Sequence, residues 1–150
     1  LIRLRFLTFR DIIVIMLKFN ENLPIDKVKN LNPVVLAFVG DAAYSLYVRK
    51  KLVSGGDYKT GTLNGLSAKI VCAPAQARLS EKLINDFFTD EEKDIFRRAR
   101  NSKKPSKAKH ASVSDYNAST GFEAVIGYLY LIGDYDRLDE IFNYAENIDL

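Results

Sequence analysis

Apolar residues recur at helical spacing along most of the chain, and no long stretch alternates between apolar and polar positions. After residue 75, for example, apolar side chains return at Ala77, Leu79, Leu83 and Ile84. A repeat of three to four residues places apolar side chains on one face of an α-helix, whereas a half-buried strand needs a repeat of two. The pattern therefore predicts an all-α fold of about six or seven helices.

Capping residues and helix breakers indicate where these helices begin and end. Asn32 followed by Pro33 is typical of a helix N-terminus, and this helix is predicted to run to about Leu52. The run Thr89-Asp90-Glu91-Glu92 is a capping box for a helix that should end before Pro105. Further helices are predicted over 66–72, 75–88, 114–131 and 136–147, with loops at 54–57, 60–61 and 103–110.

Composition changes this picture little. The 150 residues are most simply one domain, with 47% hydrophobic and 27% charged residues. A single cysteine, Cys72, excludes an internal disulfide and fits a reducing compartment, and with one histidine it leaves no Cys/His zinc site. The net charge of +3 is too small to indicate a polyanionic partner by itself.

The first residues of the chain do not read as a membrane span. The apolar run from Ile12 to Leu17 is far shorter than the roughly 20 residues that cross a bilayer, and no signal-peptide cleavage site is visible. The sequence begins with leucine and its methionine is Met16. We expect residues 1–15 to be an upstream extension and residues 16–150 to form one domain; an amphipathic membrane anchor is the less favoured alternative.

Asp41 and Glu123 are isolated acids, each within an otherwise apolar helical segment. A carboxylate on a buried face costs several kcal/mol unless a cation or hydrogen-bond donors compensate it. No lysine or arginine lies three or four positions from either acid. The pattern predicts two facing helices that share one divalent cation. The alternatives are a hydrogen-bonded core aspartate and a glutamate whose carboxylate reaches the surface.

The chemistry of such a site follows from its oxygen ligands. Carboxylates without sulfur or imidazole ligands favour Mg²⁺ or Mn²⁺. A hard cation of this kind suits phosphodiester hydrolysis, where it activates water and offsets charge on the phosphate. Gly40 and Gly127 stand close to the two acids in sequence. They permit close approach of helices or of a substrate backbone, or they are ordinary helix-packing glycines.

Between the acids lies a basic stretch, residues 97–110, that contains no acid. Arg98 stands four positions after Asp94 and is predicted to form a surface ion pair with it. The density of positive charge suits phosphate contacts on nucleic acid, and the alternative is a solvated charged face. The predicted contacts are Arg97, Arg100, Lys103, Lys104, Lys107 and Lys109, of which Arg97, Arg100 and Lys104 share a face without acidic partners.

Two motifs resemble the ribonuclease III family. Its catalytic-helix signature is similar to Val39-Gly40-Asp41-Ala42-Ala43-Tyr44, and its second metal-binding motif is similar to Phe122-Glu123-Ala124-Val125-Ile126-Gly127. Residues 72–77, 97–101 and 119–124 resemble Mini-ribonuclease III, the compact bacterial branch that has no separate double-stranded-RNA-binding domain. The resemblance extends from Asn32 to about Leu138.

The resemblance implies a homodimeric all-α endoribonuclease that uses Mg²⁺, with Mn²⁺ as a substitute, to cut double-stranded RNA. The branch matures the ends of large-subunit ribosomal RNA precursors in the bacterial cytoplasm, and a ribosomal protein is a candidate partner. By position, Asp41 is the catalytic, metal-associated aspartate and Glu123 the metal-binding glutamate. We expect the helix of Asp41 to lie near the dimer axis, with Phe38 or Tyr44 at the contact.

Some positions depart from the wider family. Ala37 and Thr120 stand where longer ribonuclease III enzymes carry acids, and the compact branch lacks these acids too. Ser45 stands where the compact branch often carries an acid. A non-catalytic RNA-binding or ribosome-associated module on the same fold is the main rival interpretation, and a purely structural helical dimer is another. The presence of Asp41 and Glu123 favours the enzyme.

Overall fold

Helices form the whole regular structure of the part of the chain that the computed structural model describes, residues 18–104 and 111–147. No strand occurs within these residues, which confirms the predicted all-α class. The helices are α1 (Ile25–Lys29), α2 (Pro33–Ser54), α3 (Thr60–Val71), α4 (Ala73–Asp86), α5 (Asp90–Asn101), α6 (Val113–Ile132) and α7 (Tyr135–Glu146).

The termini of the main helices follow the local signals. The Asn32 side chain accepts a hydrogen bond of 2.9 Å from the Val34 N–H at the start of α2. Thr89 and Glu92 form the predicted reciprocal capping box at the start of α5. Helix α6 ends at Gly133, whose φ of 77° lies in the left-handed region that glycine adopts without strain. These caps confirm the predicted order of the main helices.

Two local predictions are wrong. Helix α3 begins at Thr60 rather than at Leu66, so the loop predicted at 60–61 lies inside a helix. Glycine weakens a helix only modestly, and the packing of α3 against α2 outweighs that cost. The short helix α1 was missed because five residues are too few to show a period, and its stability comes from the fully buried Val28.

Helix α6 forms the centre of the core. Its side chains from Ser119 to Leu129 are buried except that of Glu123, which is half-buried. Helices α2, α4 and α5 pack around α6, and this explains why it is apolar on nearly all sides. Glu123 therefore projects from the most buried helix of the domain.

Helices α2 and α6 touch backbone to backbone where they cross. A Cβ atom added to Gly40 would lie 1.7 Å from the backbone oxygen of Glu123. A Cβ atom added to Gly127 would lie 1.9 Å from the backbone oxygen of Leu36. Of the two interpretations of these glycines, the structure supports close packing of the helices, which brings the turns that carry Asp41 and Glu123 together.

The chain termini and one internal segment lie outside the described residues. The predicted extension at residues 1–15, and Met16, belong to these segments, as do Lys107 and Lys109. Within the described residues, no helix combines the length and apolar character needed to cross a bilayer.

Candidate metal centre and basic surface

The crossing of α2 and α6 brings Asp41 and Glu123 close enough for their charges to interact. Glu123 is half-buried, whereas Asp41 is exposed. The prediction that Asp41 lies on a buried face is wrong. Its helix turns Ala37 and Tyr44 into the core, and Asp41 lies at the margin between them and the exposed Phe38.

The electrostatics of the pair are unfavourable without a cation. Burial and the negative charge of Asp41 together raise the pKa of the Glu123 carboxyl to about 8, while the nearby Gln76 amide acts in the opposite direction. Among residues 18–104 and 111–147, no lysine or arginine forms an ion pair with either acid. Both carboxylates are therefore open to a cation from solution.

The donor set fits a hard divalent cation. The described part of the chain has no group of three or more Asp, Glu, His or Cys side chains that could hold a metal ion, so within it this site offers two carboxylates. Ala37 and Thr120, at the positions where longer relatives carry acids, are buried and supply no carboxylate. Water or phosphate oxygens would complete the coordination shell of Mg²⁺ or Mn²⁺, which accept such ligands readily.

Gln76 is a residue of this site that the sequence analysis missed. Its side chain on α4 is 1% exposed, and its amide lowers the pKa of the Glu123 carboxyl by favouring the charged form. The signal in the sequence was a polar residue at helical spacing from the buried Leu79 and Leu83. That signal indicates a buried polar group, but only the packing of α4 against α6 shows which carboxylate it meets.

The arginines of α5 differ in their surroundings. Arg98 forms the predicted ion pair with Asp94, with 2.9 Å between Nε and Oδ2. The prediction that Arg97 lacks an acidic partner is wrong, because its Nη2 lies 2.6 Å from Oδ1 of the same aspartate. Arg100 is exposed, and it has no acidic partner in the described part of the chain. Asp94 therefore offsets the charge of Arg97 and Arg98, whereas Arg100 keeps its full positive charge at the surface.

Lys104 lies in the predicted loop after α5, but its side chain is held by protein groups. Its Nζ donates hydrogen bonds to the backbone oxygens of Arg100 and Ser102 and to Oδ1 of Asn117, at 3.1, 3.2 and 2.9 Å. It also lies 5.8 Å from the ring centre of Tyr116. Partial burial lowers its pKa. The ammonium group thus fastens the end of α5 to α6.

Lys103 is exposed, in contrast to its neighbour. The fold also adds Arg78 on α4, which the sequence analysis did not select. Arg78 and Arg100 line one cleft of about 340 Å³ between α4, α5 and the start of α6. Helix α4 therefore carries Gln76 toward the carboxylates and Arg78 toward the basic surface.

We predict that Lys104→Ala lowers the free energy of unfolding by about 1–2 kcal/mol, because three charge-assisted hydrogen bonds are lost at a helix end. Lys103→Ala is the matched control and should change it by less than about 0.5 kcal/mol. Urea titration followed by circular dichroism measures both. Equal effects would show that the contacts of Lys104 contribute no stability in solution.

An apolar stripe runs along the outer face of α2. Phe38 is 81% exposed, and Val35, Ala42 and Leu46 are exposed at helical spacing from it. Tyr44, the other residue predicted at the dimer contact, is buried in the core of the same chain, where its ring meets that of Phe122 edge-on. Any contact along this face therefore involves Phe38 rather than Tyr44.

Comparison with known proteins gives matches that cover both acids. The family model described as Ribonuclease III domain matches residues 34–134, which include both acids. A Mini-ribonuclease 3 of Thermoanaerobacter sp. (strain X514) is 46% identical over 129 residues, covering 84% of this chain and 90% of that protein. A Mini-ribonuclease 3 of Staphylococcus aureus is 42% identical over 124 residues, covering 82% and 92%.

A solved structure shows the same fold. The crystal structure of a Fusobacterium nucleatum protein superposes with a TM-score of 0.71 at 35% sequence identity. The match covers 77% of this chain and 93% of the other.

Proposed function

Because this chain belongs to the ribonuclease III family, within its Mini-ribonuclease III branch, and is an endoribonuclease, we propose that it cuts double-stranded RNA with a divalent metal ion held by Asp41 and Glu123. Enzymes of the family act on double-stranded RNA and generally depend on a divalent metal. The observation that carries the proposal is the pairing of the two acids across the α2–α6 crossing, where neither forms an ion pair with a lysine or arginine of residues 18–104 and 111–147.

The two acids differ in their surroundings and hence in their roles. Glu123 projects from the buried helix α6 and would hold the ion from the protein side. Asp41 is exposed and would hold it from the side that a phosphodiester approaches. A bound Mg²⁺ ion, or Mn²⁺ in its place, activates water and offsets the charge on the phosphate oxygens. The carboxylates contribute negative charge and orientation, and no lysine or arginine within the described ranges forms an ion pair with them.

Phosphate contacts from the basic surface would position the duplex. We assign them to Arg97, Arg100 and Lys103, and to Lys107 and Lys109 beyond the described residues. The major groove of A-form RNA is deep and narrow, so side chains cannot easily reach the base edges there. Binding through such contacts therefore depends on the shape and charge of the duplex rather than on its base sequence. Lys104, whose ammonium already donates to three protein oxygens, acts by holding α5 and α6 together.

We further propose that two copies of this chain form a homodimer through the apolar stripe of α2. A two-fold axis would place one active site on each strand of the duplex, which is the simplest arrangement for cutting both strands. Phe38→Glu should weaken dimerisation about 30-fold or more, by placing a charge at the centre of the contact. Val113→Glu is the matched control, because Val113 is also exposed but lies at the start of α6.

Light scattering over a range of protein concentrations measures this change, and duplex cleavage should fall with the dimer fraction. A wild-type protein that is active as a monomer would contradict the proposed dimer.

We propose the precursor of large-subunit ribosomal RNA as the substrate and the cytoplasm as the location. Both follow from membership of the compact bacterial branch, and a ribosomal protein bound to that RNA is a candidate partner. The decisive substrate comparison is between precursor duplexes and unrelated duplexes of equal length.

The experiment that tests the function is incubation of the protein with duplex RNA, with and without Mg²⁺. Single-stranded RNA and duplex DNA serve as controls. We expect metal-dependent cleavage of duplex RNA alone. Tight binding without cleavage would favour the non-catalytic module, and cleavage in the presence of a chelator would contradict the metal site.

A further inference from the structure

Gln76 occupies a position where a purely structural core would place an apolar residue. Its side chain is 1% exposed and shares a face of α4 with Leu79 and Leu83, which are buried as well. Buried polar groups in proteins are nearly always paired, and an unpaired one needs an explanation. The side-chain oxygen Oε1 of Gln76 is buried and has no hydrogen-bond partner in the described part of the protein.

The amide nitrogen of Gln76 has a hydrogen-bond partner, in contrast to its oxygen. Nε2 donates a hydrogen bond of 3.1 Å to the backbone oxygen of Val71 at the end of α3. The same amide lies beside the Glu123 carboxyl and favours its charged form. The backbone oxygen of Val71 is an acceptor, and so is Glu123 in the charged form that binds a cation, so the amide nitrogen faces both. Val71 therefore fixes the direction in which Gln76 meets Glu123.

The unpaired Oε1 indicates that this position is not optimised for stability. An apolar side chain of similar size would fill the space without burying an acceptor that has no donor. Residues that lower stability in this way are often found at functional sites, because activity there requires a particular side chain even when another would make the protein more stable. The group that Gln76 holds is the carboxylate at the α2–α6 crossing.

We propose that Gln76 is a positioning residue for Glu123, and that its amide holds the carboxylate in the orientation that binds the divalent ion. The inference rests on the proposed function, because it takes Glu123 to be a metal ligand. Residues that orient metal ligands typically contribute 10- to 100-fold to metal affinity. Gln76 does so from α4, a third helix beside the two that carry the acids.

The test compares Gln76→Leu and Gln76→Met with Ser80→Ala. Ser80 is the matched control because it lies one turn later on α4, is also 1% exposed, and donates its hydroxyl hydrogen bond to the backbone of Ala77 rather than to Glu123. The affinity for Mn²⁺ alone is measured by electron paramagnetic resonance, and the thermal midpoint by circular dichroism. Duplex cleavage is then followed over a range of Mg²⁺ concentrations.

For both Gln76 variants we expect the Mn²⁺ dissociation constant to rise about 10- to 100-fold. The thermal midpoint in metal-free buffer should stay equal or rise. The value of kcat should fall at limiting Mg²⁺ and recover at saturating Mg²⁺, with KM for the duplex unchanged. Ser80→Ala should keep the wild-type Mn²⁺ affinity, because its hydroxyl does not touch the metal centre.

Wild-type Mn²⁺ affinity in a folded Gln76 variant overturns the inference. Failure of both variants to fold also overturns it, because the glutamine would then serve the core. Glu123→Gln separates this result from failure of the proposed function. If Glu123→Gln binds Mn²⁺ as wild type does, the metal site itself is wrong. If Glu123→Gln loses the ion and the Gln76 variants keep it, the site stands and only the role of Gln76 fails.

Discussion

Asp41→Asn and Glu123→Gln should each reduce kcat for duplex RNA by about a thousandfold or more, while duplex binding stays close to wild type. Each change removes one of the two carboxylates that we propose as metal ligands, so the ion would be held by one acid instead of two. Because the acids act as a unit, the double variant should be no slower than either single variant.

Single-turnover cleavage and filter binding, carried out at one salt concentration, separate the effect on cleavage from the effect on binding. Asp26→Asn is the control, since Asp26 is an exposed acid on α1 with no part in the site. Near-normal turnover in either site variant would refute the assignment of these residues.

The Glu123→Gln variant should also be more stable than the wild type in metal-free buffer near pH 8. The carboxyl has an ordinary pKa of 4.5 in the unfolded chain and about 8 in the folded protein. Between these values the folded state binds more protons, so wild-type stability falls as pH rises through this window. The glutamine variant lacks this slope, and the difference at pH 8 should be on the order of 2 kcal/mol.

Thermal unfolding in a chelator at pH 5 and pH 8 measures this slope. Addition of Mn²⁺ should restore wild-type stability and leave the variant unchanged, which separates loss of the ligand from damage to the fold.

Gly40→Ala and Gly127→Ala should each lower the free energy of unfolding by about 3 kcal/mol or more, or prevent folding. The added methyl group would lie 1.7 or 1.9 Å from a backbone oxygen of the opposite helix. Backbone cannot rotate aside as a side chain does, so α2 and α6 must separate. Any variant that folds should also lose cleavage activity, because the two acids move apart.

Gly65→Ala is the matched control for these variants. Gly65 lies within α3, and a Cβ atom added there meets nothing within 4 Å. Alanine is a better helix former than glycine, so this change should stabilise the protein by up to about 1 kcal/mol. Urea titrations of the three variants test the contrast. A mild effect at Gly40 would mean that the helices do not cross as closely as described.

Much of the architecture could be predicted because its signals are local. The Asn32 cap and the Thr89–Glu92 capping box satisfy backbone groups within a few residues, so their positions are evident in the sequence. Glu123 was selected because an acid in the apolar segment of α6 needs compensation wherever that helix packs. The similarity to ribonuclease III motifs, confirmed by the family match, then related the two acids to one activity.

Other features depend on contacts between distant parts of the chain. Asp41 shares its helical face with buried residues, and only the placement of α6 and the other helices around α2 leaves it exposed. The hydrogen bond of Lys104 to Asn117 and the approach of Gln76 to Glu123 each bring together residues far apart in sequence, and no periodicity within one helix specifies them. The pairing of Arg97 with Asp94 is different, because the two residues lie three positions apart on one helix and the same aspartate also binds Arg98. That contact is local, and the spacing of three could have predicted it.

The sequence by itself determined the helical class, the main caps and the two acids, because helix periodicity, capping and the cost of burying charge act over short distances or on single residues. The tertiary structure alone decided how those acids meet. The backbone contact at Gly40 and Gly127 sets the approach of α2 and α6, and the packing of α4 against α6 brings Gln76 to Glu123. Such contacts depend on how whole helices fit together, which no local pattern encodes.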